Sequence, residues 1–214
     1  MEVIFLDCRN LEVLDYGFAN DNFTIVIDNV VPQSSSFQVN KEKVNASVGD
    51  YLVIKDRQIN YIGIITSFDA KDHVVEVKTK DFISILDIKT KLTSYSGNLS
   101  IYVLNLIKSA YITNIDTQQN LPYLTISRDA ETVNGSLTFE ANTIDSISSV
   151  ISTLNKAYSL GVGYSLVYGN GKITGIDMRI SKCKKGLRLK SEIGCISNLK
   201  ITDSNTWALY GEPV

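Results

Sequence analysis

The residues able to do chemistry are few and scattered. His73 is the single histidine of the 214-residue chain. It adjoins Lys71 and Asp72 at a turn, and no GxSxG or papain-like cysteine motif accompanies it. It is therefore expected to be a partly exposed hairpin histidine. Cys8, Cys183 and Cys195 lie far apart and form no CxxC pair. With one histidine they make no zinc ligand set, and an odd count without a framework fits reduced thiols. Asp69 with Asp72, and Glu140 with Asp145, are acids near one another in sequence, as a glycoside hydrolase would need in space. Hairpin turns and a helix N-terminus account for both pairs, because solvent and the helix dipole stabilise acids there.

Three further groups of residues are weighed in the same way. Gly161-Val162-Gly163 follows a helical pattern and precedes a strand. A phosphate cradle needs the reverse order, with helix N–H groups facing the anion, and no P-loop lysine pattern occurs. Tyr158, Tyr164 and Tyr168 could line a sugar or nucleotide surface, but at helix and strand positions they are expected to pack. Lys182, Lys184, Lys185, Arg188 and Lys190 form the one basic cluster, beside Glu192. A solvated or protein-facing loop is expected there. No residue is assigned as catalytic, cofactor-binding or metal-ligating, and no cofactor is expected.

The elements that must position these residues are mostly strands. Hydrophobic residues make up 44% and charged residues 21%, so a core can form. The 25 Ile, 18 Val, 15 Thr and 11 Tyr suit a pleated, half-buried surface. A net charge of −2 without charge blocks speaks against a nucleic-acid footprint and against a polybasic membrane patch. No run reaches the roughly 18 apolar residues that span a bilayer. The start, Met1-Glu2-Val3-Ile4-Phe5-Leu6-Asp7, lacks the basic and long apolar segments of a signal peptide. Synthesis in the cytosol is the expectation.

Val3–Leu6 and Leu11–Asp15 are expected as strands, then Phe23–Asp28, with Phe23, Ile25 and Ile27 on one face. Pro32–Ser36 reads as a loop and Phe37–Val39 as a short strand. Val48-Gly49-Asp50 feeds the strand Tyr51–Lys55. Asp56-Arg57-Gln58 turns into Ile59–Phe68, whose Gly63 suggests a bulge or tight bend. Asp69–Asp72 turns into His73–Lys78, where Val75 and Val77 share a face. Three consecutive antiparallel strands make a meander, fitting a small barrel or sandwich.

After Thr79 the pattern changes. Asp81–Leu86 reads as a helical turn or a strand, and Ser94–Asn98 as a loop. Asn98 or Ser100 caps a helix running to about Tyr111, with Ile101, Leu104, Ile107 and Lys108 at helical spacing and Val103 and Leu106 widening the stripe. Asn114–Asn120 is a loop. A second helix carries Ile144, Ile147, Val150, Ile151, Leu154 and Tyr158 and stops near Gly161. Gly169-Asn170-Gly171 joins two strands, because Asn and Gly tolerate positive φ. Leu187–Leu189 and Ser197–Ile201 are further strand candidates. The fold class is α+β, mainly β: a β-barrel unit over 1–92 and an α+β unit over 93–214 with two helices and antiparallel strands, divided near Thr90–Gly97.

The string Val48-Gly49-Asp50-Tyr51-Leu52-Val53-Ile54, then Tyr61-Ile62-Gly63-Ile64-Ile65, then Val74 to Phe82 and Leu86, resembles the tail-tip hub proteins of long-tailed phages. In that family a GD-hydrophobic strand precedes a hydrophobic-Gly-hydrophobic strand, and a third strand runs into a short segment ending in Leu. The family is similar in fold to the hub of contractile tails. The resemblance covers residues 20 to 90 most clearly and extends more loosely to about 205. It implies an architectural role at the virion tail tip, after assembly in the bacterial host cytoplasm. It implies a homotrimer around the tail axis, under a distal-tail ring, with tape-measure and tail-fibre or lysin components as partners. No catalytic residue carries over. Many such hubs are longer and return to a second barrel, so a chain ending in Trp207–Val214 is a short relative or a fragment. The alternatives are a cell-wall hydrolase or tail peptidase, and a carbohydrate-binding module using Tyr168 and Trp207.

Overall fold

The computed structural model describes residues 1–25, 34–54 and 61–182. Six strands close into an antiparallel barrel: β1 Glu2–Leu6, β2 Val13–Thr24, β3 Ser34–Val39, β4 Tyr51–Ile54, β5 Ile62–Lys71 and β6 Val74–Asp81. Their order around the wall is β1-β2-β3-β6-β5-β4, with β4 pairing back to β1. Inward side chains alternate as strand geometry requires. Val3 and Phe5 of β1, Phe37 and Val39 of β3, Leu52 and Ile54 of β4, and Val75 and Val77 of β6 fill the interior.

The outer wall is not uniform, and the sequence shows it. On β3 and β6 the alternate residues are polar, among them Ser34, Gln38, Lys78 and Lys80, and they meet solvent or its edge. On β1 and β4 the outward residues Ile4, Leu6, Tyr51 and Val53 are buried too, under the rest of the chain. Val3-Ile4-Phe5-Leu6 and Tyr51-Leu52-Val53-Ile54 are unbroken apolar runs for that reason: both faces of these strands are covered.

Several details of the barrel differ from expectation. Val13–Asp15, the later part of the expected Leu11–Asp15 strand, and the start of the Phe23 segment belong to one long strand, β2 Val13–Thr24, whereas Leu11 and Glu12 lie before it. The hairpin after β5 is tighter than Asp69–Asp72. Asp69, Ala70 and Lys71 pair with Glu76, Val75 and Val74. The turn is therefore Asp72-His73, with Asp72 at φ 48°, a conformation Asp tolerates. The bulge of β5 lies between Ile65 and Ser67, not at Gly63. Gly63 answers a different need: a Cβ there would sit 2.5 Å from Thr79 Oγ1 and 2.9 Å from the Tyr61 ring. Ile27, Pro32 and the Asp56-Arg57-Gln58 turn lie outside the described residues.

Beyond Asp81 the chain builds a second layer on the β1–β4–β5 side of the barrel. A 3-10 helix, Phe82–Asp87, leads to β7 Lys89–Lys91, β8 Tyr95–Asn98 and helix α1 Leu99–Tyr111. A short 3-10 turn, Thr117–Gln119, precedes β9 Leu124–Arg128, β10 Asn134–Leu137, β11 Ile144–Ser146 and helix α2 Ile147–Tyr158. The hairpin β12 Leu160–Gly169 and β13 Lys172–Lys182 ends the described part. β13 also pairs with β9, in parallel, giving the sheet β12-β13-β9. Ser94–Asn98 is not a loop throughout, since β8 pairs with β10. β7 pairs with β11. Among the described residues no helix is long and apolar enough to cross a membrane.

Both helices are set by their caps. Asn98 Oδ1 accepts from Ser100 N at 3.1 Å and starts α1, as expected. Its buried stripe is Leu99, Tyr102, Val103, Ile107 and Ala110, whereas Ile101 is exposed and Leu104 only partly covered. Ser146 Oγ accepts from Ser149 N at 3.1 Å and starts α2 later than the apolar spacing suggests. Ile144 therefore lies on β11 and is 67% exposed. Ser159, at φ 55°, ends α2 and sends the chain directly into β12. The hairpin turn Asn170-Gly171 has φ of 51° and 76°, the paired positive values that two-residue loops require.

Candidate functional site

Among the described residues, His73 and the two acid pairs singled out in the sequence each have local partners. His73 tops the β5–β6 hairpin with an 85% exposed side chain, its Nδ1 3.1 Å from Glu42 Oε1. Asp69 pairs with Lys71 at 3.3 Å. Asp145 Oδ2 accepts from Ser149 Oγ at 2.8 Å and Oδ1 from Ser146 N at 2.7 Å. These two bonds, Ser149 first, hold its pKa below the usual carboxylate range. It braces the start of α2. The Glu140 carbonyl accepts from both Thr143 N and Oγ1, in the turn before β11.

Asp7, Cys8 and Asp50 bring three ligand-type atoms within 4.8 Å of one another. Three of their carboxylate oxygens accept hydrogen bonds within the fold. Asp50 Oδ1 accepts from Cys8 N at 3.2 Å and Oδ2 from Ser47 N at 2.8 Å. Asp7 Oδ1 accepts from Arg9 N at 2.7 Å. Burial, then the Asp50 charge, pushes the Cys8 thiol up, which keeps it protonated and slow as a nucleophile. Cys183 and Cys195 lie outside the described residues.

The three tyrosines share no surface. Tyr158 packs against the backbone at Gly135, Tyr164 is half-buried with its ring against Phe82, and Tyr168 is 61% exposed near the β12–β13 tip. Gly161-Val162-Gly163 is part of β12 and not a loop. Lys182 pairs with Glu131 at 2.7 Å. Lys184, Lys185, Arg188, Lys190 and Trp207 lie outside the described residues. A void among Val103, Ile151, Leu154, Leu160, Gly161 and Val162 has an apolar lining and is too small for a water molecule.

The polar groups that converge do so at the seam between barrel and second layer. Tyr123, just before β9, donates to the Cys8 carbonyl at 2.7 Å. Its oxygen is 2.7 Å from that of Tyr51, which must then be the donor of that bond. Tyr164 donates to Asp81 Oδ2 at 3.0 Å and accepts from Ile62 N at 3.3 Å. Asp81 Oδ1 accepts from Ile83 N at 2.9 Å, capping the 3-10 helix. Burial raises all three phenol pKa values, that of Tyr51 to about 12. None of this pattern is visible in the sequence, because the partners are 72 to 115 residues apart. Outside, Tyr16 and Phe18 stand 54% and 66% exposed on β2, and Ile115 is fully exposed in the loop after α1. Their alternation with Gly17 and Ala19 is the one signal that could have singled out the β2 pair.

No protein-family model matches the chain, and no curated protein matches it in sequence. Among solved structures it is similar to a prophage tail protein, gp18, from Listeria monocytogenes EGD-e, with TM-score 0.47 and 10% identity over 91% of this chain. It is also similar to the E. coli c3393 protein, with TM-score 0.45 and 12% identity over 76% of this chain. That protein is described as a type VI secretion component structurally similar to the T4 tail proteins gp27 and gp5. The chain spans 56% and 46% of these two structures.

Proposed function

We propose that this chain is a structural, non-enzymatic subunit of a phage tail tip or baseplate hub. In this reading it forms a ring that closes the tail tube and joins the distal tail ring to host-facing components. The observation that carries it is the closed barrel. Of the residues that resemble the hub family, Tyr51–Ile54, Ile62–Ile65 and Val74–Asp81 lie on the neighbouring strands β4, β5 and β6, and Phe82 and Leu86 on the 3-10 helix that follows. Local charge pairing supports it: Lys71 with Asp69, Arg179 with Asp129 and Lys182 with Glu131 neutralise one another. A near-neutral surface of this kind suits a lining past which DNA slides, because a basic one would hold its phosphates.

The finer parts of the proposal are three copies around the tail axis, a barrel unit over 1–92, and an α+β unit over 93–214 leading towards a second barrel. The partners are the distal tail ring, the tape-measure protein and tail-fibre or lysin components. The location is the virion tail tip, after assembly in the bacterial cytoplasm. A ring needs two different patches on each subunit. Reconstruction of particles carrying the chain tests this, with three copies on the axis expected. Six copies, one copy, or a position off the axis overturns it. Cell-wall zymography and a peptidase panel are expected to show no activity. Clearing abolished by a single substitution refutes the non-enzymatic reading.

A further inference from the structure

We infer that the barrel and the second layer are locked into one rigid body. If the tail reading holds, on which this consequence rests, opening of the axial path is a movement of whole chains against their neighbours. It is not a hinge within the chain. Domain hinges need an exposed link with few contacts, free to change φ and ψ. Here the described chain crosses from barrel to second layer at Asp81-Phe82, where β6 runs into the 3-10 helix with no linker. Both residues are buried. The Phe82 ring stands edge-on between two others, 5.6 Å from Tyr51 of the barrel and 5.5 Å from Tyr164 of the second layer. The hinge position is thus packed from both sides.

Two phenols pin the seam at separate places. Tyr123 reaches over to Tyr51 and to the Cys8 carbonyl. Tyr164 reaches over to Asp81 and to the Ile62 backbone. One pin would permit rotation about itself, whereas two pins and a buried crossing do not. Between them the apolar seam is continuous, with Ile4, Leu6, Val53 and Ile62 of the barrel in one core with Leu124 and Val162. Separating the layers would strip water-shielded groups of their hydrogen bonds and expose that apolar area together.

Native-state hydrogen exchange by NMR on the purified chain tests the lock. The Ile62 amide, held by the Tyr164 phenol, and the Ile83 amide, held by the Asp81 carboxylate, report on the seam. The Val77 amide reports on the barrel interior. All three are expected to exchange through the same global opening as denaturant rises. Exchange of Ile62 and Ile83 through a smaller opening that spares Val77 overturns the inference. In Tyr123→Phe/Tyr164→Phe, Ile62 and Ile83 are expected to exchange at least about tenfold faster relative to Val77. An unchanged ratio overturns the role given to the phenols, and Tyr164→Phe alone serves if the double variant does not fold. In particles imaged before and after DNA release, a changed angle between the layers overturns the inference and leaves the tail reading standing. A chain found outside the tail does the reverse.

Discussion

Gly63 and Gly163 are both glycines inside strands, and the structure expects opposite results from the same substitution. At Gly63 an added Cβ would lie 2.6 Å from Thr79 Cβ, 2.5 Å from Thr79 Oγ1 and 2.9 Å from Tyr61 Cε1. The Thr79 Cβ is fixed to its backbone and cannot swing aside. Thr79 and Tyr61 are fully buried, and the Tyr61 phenol lies 2.7 Å from Thr79 Oγ1. Gly63→Ala must therefore overpack the barrel and displace that hydrogen bond. Overpacking costs about 1–3 kcal/mol and the bond about 1 more, giving about 2–4 kcal/mol. For a chain of this length that lowers Tm by roughly 4–16 °C. At Gly163 no atom lies within 4 Å of the added Cβ, and its φ is not in the left-handed region. Gly163→Ala is expected to be neutral or to stabilise by about 0.4–1 kcal/mol through the unfolded chain. Thermal melts by circular dichroism with urea titrations read both. If Gly63→Ala melts with the wild type, or the two variants shift alike, the close-approach argument is wrong.

Alkali should unfold the chain through its buried phenols. Tyr51 and Tyr61 are each pushed up to about 12 by burial, so stability is full below pH 10 and lost as pH rises from 10 through about 12. Phenolate absorbance rising together with loss of circular dichroism is expected; smooth titration of all tyrosines near pH 10 refutes it. The Cys8 thiol, raised by burial and by Asp50, should react with a thiol reagent more slowly than a free cysteine at pH 8. A mass-spectrometric time course on that residue checks this, and equal rates contradict it. Gly171→Val, at φ 76°, should cost about 1–2 kcal/mol, because a β-branched residue fits the left-handed region poorly. An unchanged urea midpoint would show the turn to be otherwise formed. His73→Ala should shift stability by no more than about 0.5 kcal/mol, its contact with Glu42 being exposed; a larger loss of midpoint would show that this contact is not solvated.

The sequence was most legible where local chemistry decides the structure. Val75 and Val77 alternate because one face of β6 fills the barrel, and Asn170-Gly171 is a turn because few residue pairs accept two positive φ values. Asn98 was readable as a cap for the same reason. The short strands were not legible. Lys89–Lys91 and Asn134–Leu137 carry no apolar alternation, and their partners lie dozens of residues away. Periodicity also misplaced Ile144, since an extended residue just before a helix keeps the spacing of its stripe. The cap at Ser146, not the apolar count, marked the true start. The seam was beyond reach. That Ile4 and Val53 are buried outside the barrel, and that Tyr164 meets Asp81, depends on docking that no local pattern encodes.

The distribution of satisfied and unsatisfied groups bears on the choice between enzyme and scaffold. An active site gathers polar groups in a cleft and leaves some aimed at an absent substrate. Among the described residues several polar groups are spent within the fold. Asp50 and Asp145 spend both carboxylate oxygens on local N–H and O–H groups. The buried phenols of Tyr51, Tyr123 and Tyr164 are spent on the seam. Among the exposed side chains are three large apolar ones, Tyr16 and Phe18 on the barrel wall and Ile115 on a loop. That loop is braced by Asn114, Asp116 and Asn120, with Asn114 N donating to Asn120 Oδ1 at 2.9 Å and Asp116 N to Asn114 Oδ1 at 2.9 Å. Single exposed apolar residues are ordinary on any surface. An aromatic pair on a closed barrel wall is less so, because water gains nothing from covering it and a neighbouring protein does.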